Sequence, residues 1–364
     1  MDLMLDASEV ITRRAIAEIP DGVYEFEDFC DGDGLTSDLI RIAVKVTVKG
    51  EELHVDFTGS SPQVRGGMNA PIAVTMSAVC YATKALTDPD EPQTSGSYRP
   101  VTIHAPLGSV VNPRPPAPVV AANHETASRI ADAVIGALAT AVPERVAAAG
   151  SGTSGVIALG VRLAREDAAA EESIMVETHG VGHGAHDGAD GANARRVGVG
   201  NTGNTPTEAL EASFPITTLE YSLTPDGGGA GRYRGGTGLY RRMRLDHDAT
   251  VTLCADRAAV PPYGLFGGRQ ALAAHFWAER PDGAKEILDS KTPGLEMAAG
   301  TVIHFQCAGG GGYGEPAERD LAALQDDIDD GYVTPEVARE HYGVELRRDD
   351  ARPDGVWVVA GRVG

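Results

Sequence analysis

The sequence predicts an α+β fold, with β-rich mixed sheets and a few packed helices in a single intertwined unit spanning residues 1–364. Three observations predict it. Glycine is abundant, at 45 residues, while aromatics make up only 5%, which favours turn-rich β structure over helical bundles. Short apolar runs separated by Gly and Pro turns fill 239–307, the pattern of successive strands. Helical periodicity is confined to a few stretches, and no polar linker separates them from the strands.

The first helix lies at 4–18, where Leu5, Val10, Ile11, Ala15 and Ile16 fall at helical spacing. Pro20-Asp21-Gly22 stops it. Strands follow at 23–29 and 40–48, divided by the acidic turn DGDG at 31–34, and a turn at 49–51 leads into a strand at 53–57. The small apolar stretch 71–87 predicts a buried helix. A proline-rich connector at 112–118 leads to a helix with Asn123 as its N-cap. Its apolar stripe is Ile130, Val134, Ala137, Leu138 and Ala141, ended by Pro143. The stretch 150–225 reads as glycine-rich with short strands. Two short helices close the fold, at 321–328 and at 335–341 with Thr334 as cap.

Composition excludes several functions. A net charge of −21 leaves no basic surface for nucleic acid. Cys30, Cys80, Cys254 and Cys307 form no CxxC pair, so the chain is expected to hold buried thiols and not a zinc cluster or redox pair. The N-terminus lacks a basic region followed by an apolar stretch, and no segment reaches the roughly 20 apolar residues of a membrane helix. The chain reads as soluble and cytoplasmic.

Four segments are candidates for chemistry. The first is DGGGAGRYRGGTG at 226–238, in which Asp226, Arg232 and Arg234 interrupt a glycine run. It matches neither the Walker pattern nor a strand-helix GxGxxG, so ATP is not expected on this chain. No GxSxG elbow occurs. The second is DFTGSSPQ at 56–63, continuing to Asn69. Its Asp, Thr and Ser suit a polar turn, and Gln63 and Asn69 are able to donate to and accept from an amide-bearing substrate. The third is the cluster His179, His183, His186 and Asp187. Three imidazoles and a carboxylate suit zinc or manganese, but the glycines between them give no rigidity, and surface-loop histidines are the preferred reading. The fourth is the pair Glu208 and Glu211, one helical turn apart. They suit acid–base work if burial separates them, and are otherwise solvated acids.

Taken together, DFTGSSPQ at 56–63, GMN at 67–69, NTPTEALE at 204–211, GGAGRYRGG at 228–236, Asp256-Arg257 with GLFGG at 264–268, GGGGYG at 309–314 and DGYVTPEVAREHYG at 330–343 resemble the hydantoinase B/oxoprolinase B family. The resemblance runs from about Ile11 to Val344. It implies a B-type component of an ATP-dependent hydrolase that opens a cyclic amide such as a hydantoin, 5-oxoproline or a lactam. An A-type subunit would bind ATP and phosphorylate the amide oxygen. Phosphorylation gives a resonance-stabilised amide a good leaving group. Related carboxylases use the same folds on ketones, and a carboxylase component, a non-catalytic assembly subunit or a truncated product are the alternatives.

The resemblance also implies a divalent metal, held by His and Asp motifs in an N-terminal region. No HHxDxGG-like segment occurs in this sequence, so those ligands are expected on a separate chain or a longer product, with no cofactor assigned to this one. Under the resemblance Asp226, Arg232, Arg234, Asp256 and Arg257 are the candidates for a shared catalytic site, with Gln63 and Asn69 next for substrate. Arginines beside glycine loops suit a phosphorylated intermediate. The competing reading for Arg232 and Arg234 is a salt bridge to Asp226 or a neighbouring acid.

Overall fold

The computed structural model describes residues 2–165, 168–196, 198, 200–349 and 356–363. They group into two compact units, one of 1–146 with Gly198 and Gly200, the other of 147–197 with 201–364. Neither unit is continuous in sequence, and both mix helices with sheet.

In the first unit, α1 (Asp2–Ala17) precedes a sheet ordered β1 (Gly22–Cys30), β2 (Ile40–Lys49), β3 (Glu52–Asp56) and β4 (Val101–His104). Val48 lies opposite both Gly22 and Leu53 in antiparallel pairs, whereas β3 and β4 run parallel. A parallel pair needs a long crossover, and α2 (Ile72–Thr87) lies within it. Along β2, Ile40, Ile42, Val44, Val46 and Val48 are all buried, the period-two pattern of a strand with one face on a core. α3 (Ala127–Leu138) packs on β1, β2 and α2. Its fully buried Arg129 reaches Asp28 of β1, with Nη1 3.1 Å from Oδ2.

Asn123 does not cap α3. Residues Ala122–Thr126 form a π-helical turn that runs directly into the helix, and Thr126 at the junction is already helical, with φ −63° and ψ −38°. The preceding turn offers carbonyls to the first-turn amides, so no side-chain cap is required.

In the second unit, β5 (Val156–Arg165) and β6 (Ala168–Thr178) make a hairpin longer than the glycine content of 150–225 predicts. Ile157, Leu159 and Val161 alternate into the core, and that period outweighs the single Gly160. α4 (Thr207–Ser213) follows, then β7 (Ile216–Leu223), β8 (Leu239–Leu245), β9 (Ala249–Cys254), β10 (His275–Glu279), β11 (Lys285–Ile287), β12 (Lys291–Met297) and β13 (Val302–Gln306). One sheet is ordered β11-β10-β13-β8-β7 and the other β12-β9-β5-β6. Met243, Phe276 and Phe305 of the first share a core with Leu159, Val251 and Met297 of the second.

The C-terminal part holds α5 (Leu321–Asp329), α6 (Pro335–Tyr342) and a hairpin of β14 (Val344–Asp349) and β15 (Val356–Arg362). Both helices lie where the sequence places them. Asp320 accepts from the amides of Ala322 and Ala323 at the start of α5, and Thr334 Oγ1 accepts from Val337 N at the start of α6. Gly343 ends α6 with φ 62°, a left-handed conformation that glycine adopts without steric cost. Leu324, Val333, Ala338, Tyr342 and Val344 form a satellite core with Ala230 of the glycine run. No helix among the described residues is long and apolar enough to cross a membrane.

Candidate functional site

The glycine runs build a backbone lattice in the second unit. Segments near 149, 183, 227–238, 269 and 309–314 lie side by side and exchange main-chain hydrogen bonds. Gly229 N donates to Gly310 O (2.9 Å), Gly310 N to Gly236 O (2.9 Å), Gly236 N to His183 O (2.8 Å), Gly312 N to Arg269 O (2.9 Å) and Gly311 N to Ala149 O (2.8 Å). Backbones this close leave no space for side chains. A Cβ on Gly310 would overlap the His183 carbonyl, and one on Gly235 the Gly310 carbonyl. The amides of Gly229, Gly235 and Gly236 are all bonded within the lattice, so they are not available as a cradle for phosphate.

The lattice fixes Arg234 and Arg232 in different settings. Arg234 is buried, and its Nε donates to Asp327 Oδ1 at 3.0 Å while Nη1 donates to Gly235 O at 2.7 Å. Asp327 in turn lies 2.6 Å from Arg319 Nη2, and Arg319 holds Asp190 through both nitrogens at 2.8 and 2.7 Å. Arg234, Asp327 and Arg319 form a buried, charge-assisted network that ends on the exposed Asp190. Burial pushes the Asp190 carboxyl up, but the Arg319 hydrogen bonds outweigh it and hold the group below the usual carboxylate range. Of the two partners expected for Arg234, Asp226 or another acid nearby, the structure has the second, Asp327. Sequence reasoning missed Asp190, Asp327 and Arg319, because no spacing rule connects Asp190 with Arg319, 129 residues later. Arg232 is exposed, and its guanidinium lies 5.5 Å from the ring centre of Tyr233. It lines a groove of about 410 Å³ with Asp190, Tyr233, Arg319 and Asp320.

Asp226 faces elsewhere. It sits at φ 58°, a strained region for a non-glycine residue, and its two oxygens accept from the amide and the hydroxyl of Thr334, both at 2.8 Å. Asp256 is fully buried with Lys291 Nζ 3.0 Å away. Arg257 is also fully buried, at φ 70°, with Nε 3.3 Å from Ser151 O. Of the five residues grouped by the sequence, Asp226 and Arg232 line separate grooves, while Arg234, Asp256 and Arg257 lie in the interior.

No three of His179, His183, His186 and Asp187 bring ligand atoms within 4.8 Å of one another. His179 Nδ1 donates to Gly155 O at 2.7 Å, His183 Nε2 to Arg196 O at 2.8 Å and His186 Nδ1 to Asp187 O at 2.9 Å. The surface-loop reading fails for His179, which is fully buried and stacked on Phe305 with ring centres 4.2 Å apart. Burial holds its imidazole down at about 3, against a partial offset from the Gly155 carbonyl. Glu208 and Glu211 stay exposed on α4, and Glu211 accepts from Thr218 N at 2.6 Å.

Gln63 and Asn69 belong to the first unit. Gln63 Oε1 accepts from Arg114 N at 2.8 Å. Asn69 is fully buried. Its Oδ1 accepts from Val64 N, and its Nδ2 donates to the carbonyls of Val64, Gly66 and Pro118. With both amide ends committed to backbone, Asn69 fixes the turn and presents nothing outward. Asp56 does the same by accepting from the amide and hydroxyl of Thr58.

Comparison with known proteins identifies the fold and the family. A family model described as hydantoinase B/oxoprolinase matches residues 1–316. An uncharacterized protein of Methanocaldococcus jannaschii is 35% identical over 346 residues, covering 95% of this chain and 59% of its own length. A Pseudomonas sp. (strain NS671) protein, provisionally named as the B component of a D-/L-hydantoinase, is 34% identical over 357 residues, covering 94% of this chain and 59% of its own. The crystal structure of an ATP-dependent caprolactamase from Pseudomonas jessenii superimposes with a TM-score of 0.83 at 28% identity, over 96% of this chain and 61% of that one. This chain therefore spans about three fifths of the length of each of these three proteins. It belongs to the hydantoinase B/oxoprolinase family.

Proposed function

We propose that the chain is the B-type component of an ATP-dependent hydrolase of cyclic amides, acting with an ATP-binding A-type subunit on a hydantoin, 5-oxoproline or a lactam. The observation that carries this reading is the family match across 1–316, together with relatives named as a hydantoinase B component and an ATP-dependent caprolactamase. The absence of Walker and dinucleotide motifs supports placing ATP on the partner. The His179–His186 cluster does not fit the divalent metal that the family implies, since no three of His179, His183, His186 and Asp187 bring ligand atoms within 4.8 Å of one another. No step through a metal is assigned to these residues.

Among the arginines of the glycine run, our candidate for contact with a phosphorylated amide is Arg232. Its head is exposed at a groove, and the planar guanidinium suits phosphate oxygens. Arg234, Asp256 and Arg257 act as positioning residues that hold the surrounding backbone, and Asp226 braces α6. Co-purification of tagged chain with an A-type subunit tests the assembly. In the assembled enzyme, Arg232→Ala is expected to lower kcat/KM by about 10- to 100-fold, the loss of one charge-assisted contact. Unchanged kinetics would remove Arg232 from the site.

A further inference from the structure

A second groove, of about 410 Å³, opens on the lattice beside α6 and is lined by Asp226, Arg269, Gln270, Leu272, Val337 and His341 among others. Arg269 is exposed, and among the described residues no carboxylate lies within ion-pair distance of it. Its backbone is clamped on both sides, with its N donating to Ala230 O at 2.7 Å and its O accepting from Gly312 N at 2.9 Å. Leu272 is fixed in the same way, its N donating to Gly227 O at 3.0 Å, while its side chain is 44% exposed. The backbone that carries this guanidinium and the Leu272 side chain is thus fixed, which lowers the ordering cost of binding.

From this arrangement we infer a binding site for a small organic monocarboxylate with a short apolar body. The guanidinium fork of Arg269 matches a carboxylate in two parallel hydrogen bonds. Leu272, Val337 and Ala271 supply the apolar wall, and the Gln270 amide stands beside them. A monoanion fits better than a phosphate dianion. Arg269 is the single permanent cation in the lining, and Asp226 contributes an opposing negative charge. His341 adds no dependable charge, since burial and the nearby Arg269 hold its imidazole below the ordinary range. This inference does not depend on the ring-opening reading.

Titration of the full chain with hexanoate, followed by calorimetry or ligand-observed NMR, tests it. Hexanoate is expected to bind saturably, and 1-hexanol and hexylamine at least about 10-fold more weakly. Arg269→Ala should weaken hexanoate by a similar factor with an unchanged melting profile, because the side chain is exposed. Arg269→Lys should fall between the two, and Leu272→Ser should weaken hexanoate more than acetate. Non-saturable binding, equal binding of hexanol, or unchanged affinity in Arg269→Ala would each overturn the assignment.

Discussion

The Asp226 carboxylate accepts from both the amide and the hydroxyl of Thr334, a residue 108 positions later, while the same hydroxyl accepts from Val337 N to cap α6. One strained aspartate in the glycine run therefore sets where the last α-helix begins. Asp226→Ala is expected to destabilise the second unit by about 1–3 kcal/mol, the cost of stranding two donors. Denaturant unfolding measures this, and a change within error would mean α6 docks without the brace.

The lattice predicts an unequal response to small substitutions. Gly310→Ala would drive a methyl group into the His183 carbonyl, whereas a Cβ at Gly203 meets nothing within 4 Å. The first is expected to cost more than about 4 kcal/mol or to prevent folding, and the second less than about 0.5 kcal/mol. Soluble yield and melting temperature of the two variants decide it. A tolerated Gly310→Ala would mean the segments are not packed backbone to backbone.

Breaking the buried network should cost more than removing its parts together. Asp327→Leu leaves Arg234 without its carboxylate and Arg319 with only Asp190. A loss of about 3–5 kcal/mol is expected. The double variant Arg234→Met/Asp327→Leu should be more stable than Asp327→Leu alone, since it removes one stranded charge. Additive losses in a double-mutant cycle would show the two residues are independent.

His179 predicts an acid limb. Its folded-state value of about 3 lies below the ordinary histidine value of about 6.5. Between these values the unfolded chain binds a proton that the fold does not, so stability falls as pH drops. Between pH about 6.5 and 4.5, where few carboxylates titrate, His179→Phe should flatten the decline while keeping the stack on Phe305. An unchanged slope would assign the acid sensitivity to other groups.

Local pattern was enough for much of the fold. The β2 alternation, the cap at Thr334 and the helix beginning at Leu321 all follow from neighbours in sequence, and the structure has each of them. Asn123 misled because a cap motif reads the same whether the chain enters from a loop or from a π-helical turn. The glycine lattice was legible only as a composition. Its partners, such as His183 with Gly310, come from segments far apart in the chain, and glycine carries no side chain to announce a contact. The candidate site was legible as residue types but not as partners. Arg234 was singled out, whereas Asp327, Arg319 and Asp190 lie in no motif with it. Arg269 directly follows GLFGG at 264–268, and that adjacency was the available signal for the second groove.

The proposed role of this chain is to complete an ATP-dependent ring-opening enzyme. The most direct measurement combines it with an A-type subunit and with the segment that supplies the rest of its relatives' length. Hydantoin, 5-oxoproline and caprolactam are then offered separately, and ring-opened product and ADP are measured together. ATP-dependent product is expected from at least one of the three, lost when this chain is left out. An assembled complex that opens none of them, or opens them equally well without this chain, would contradict that role.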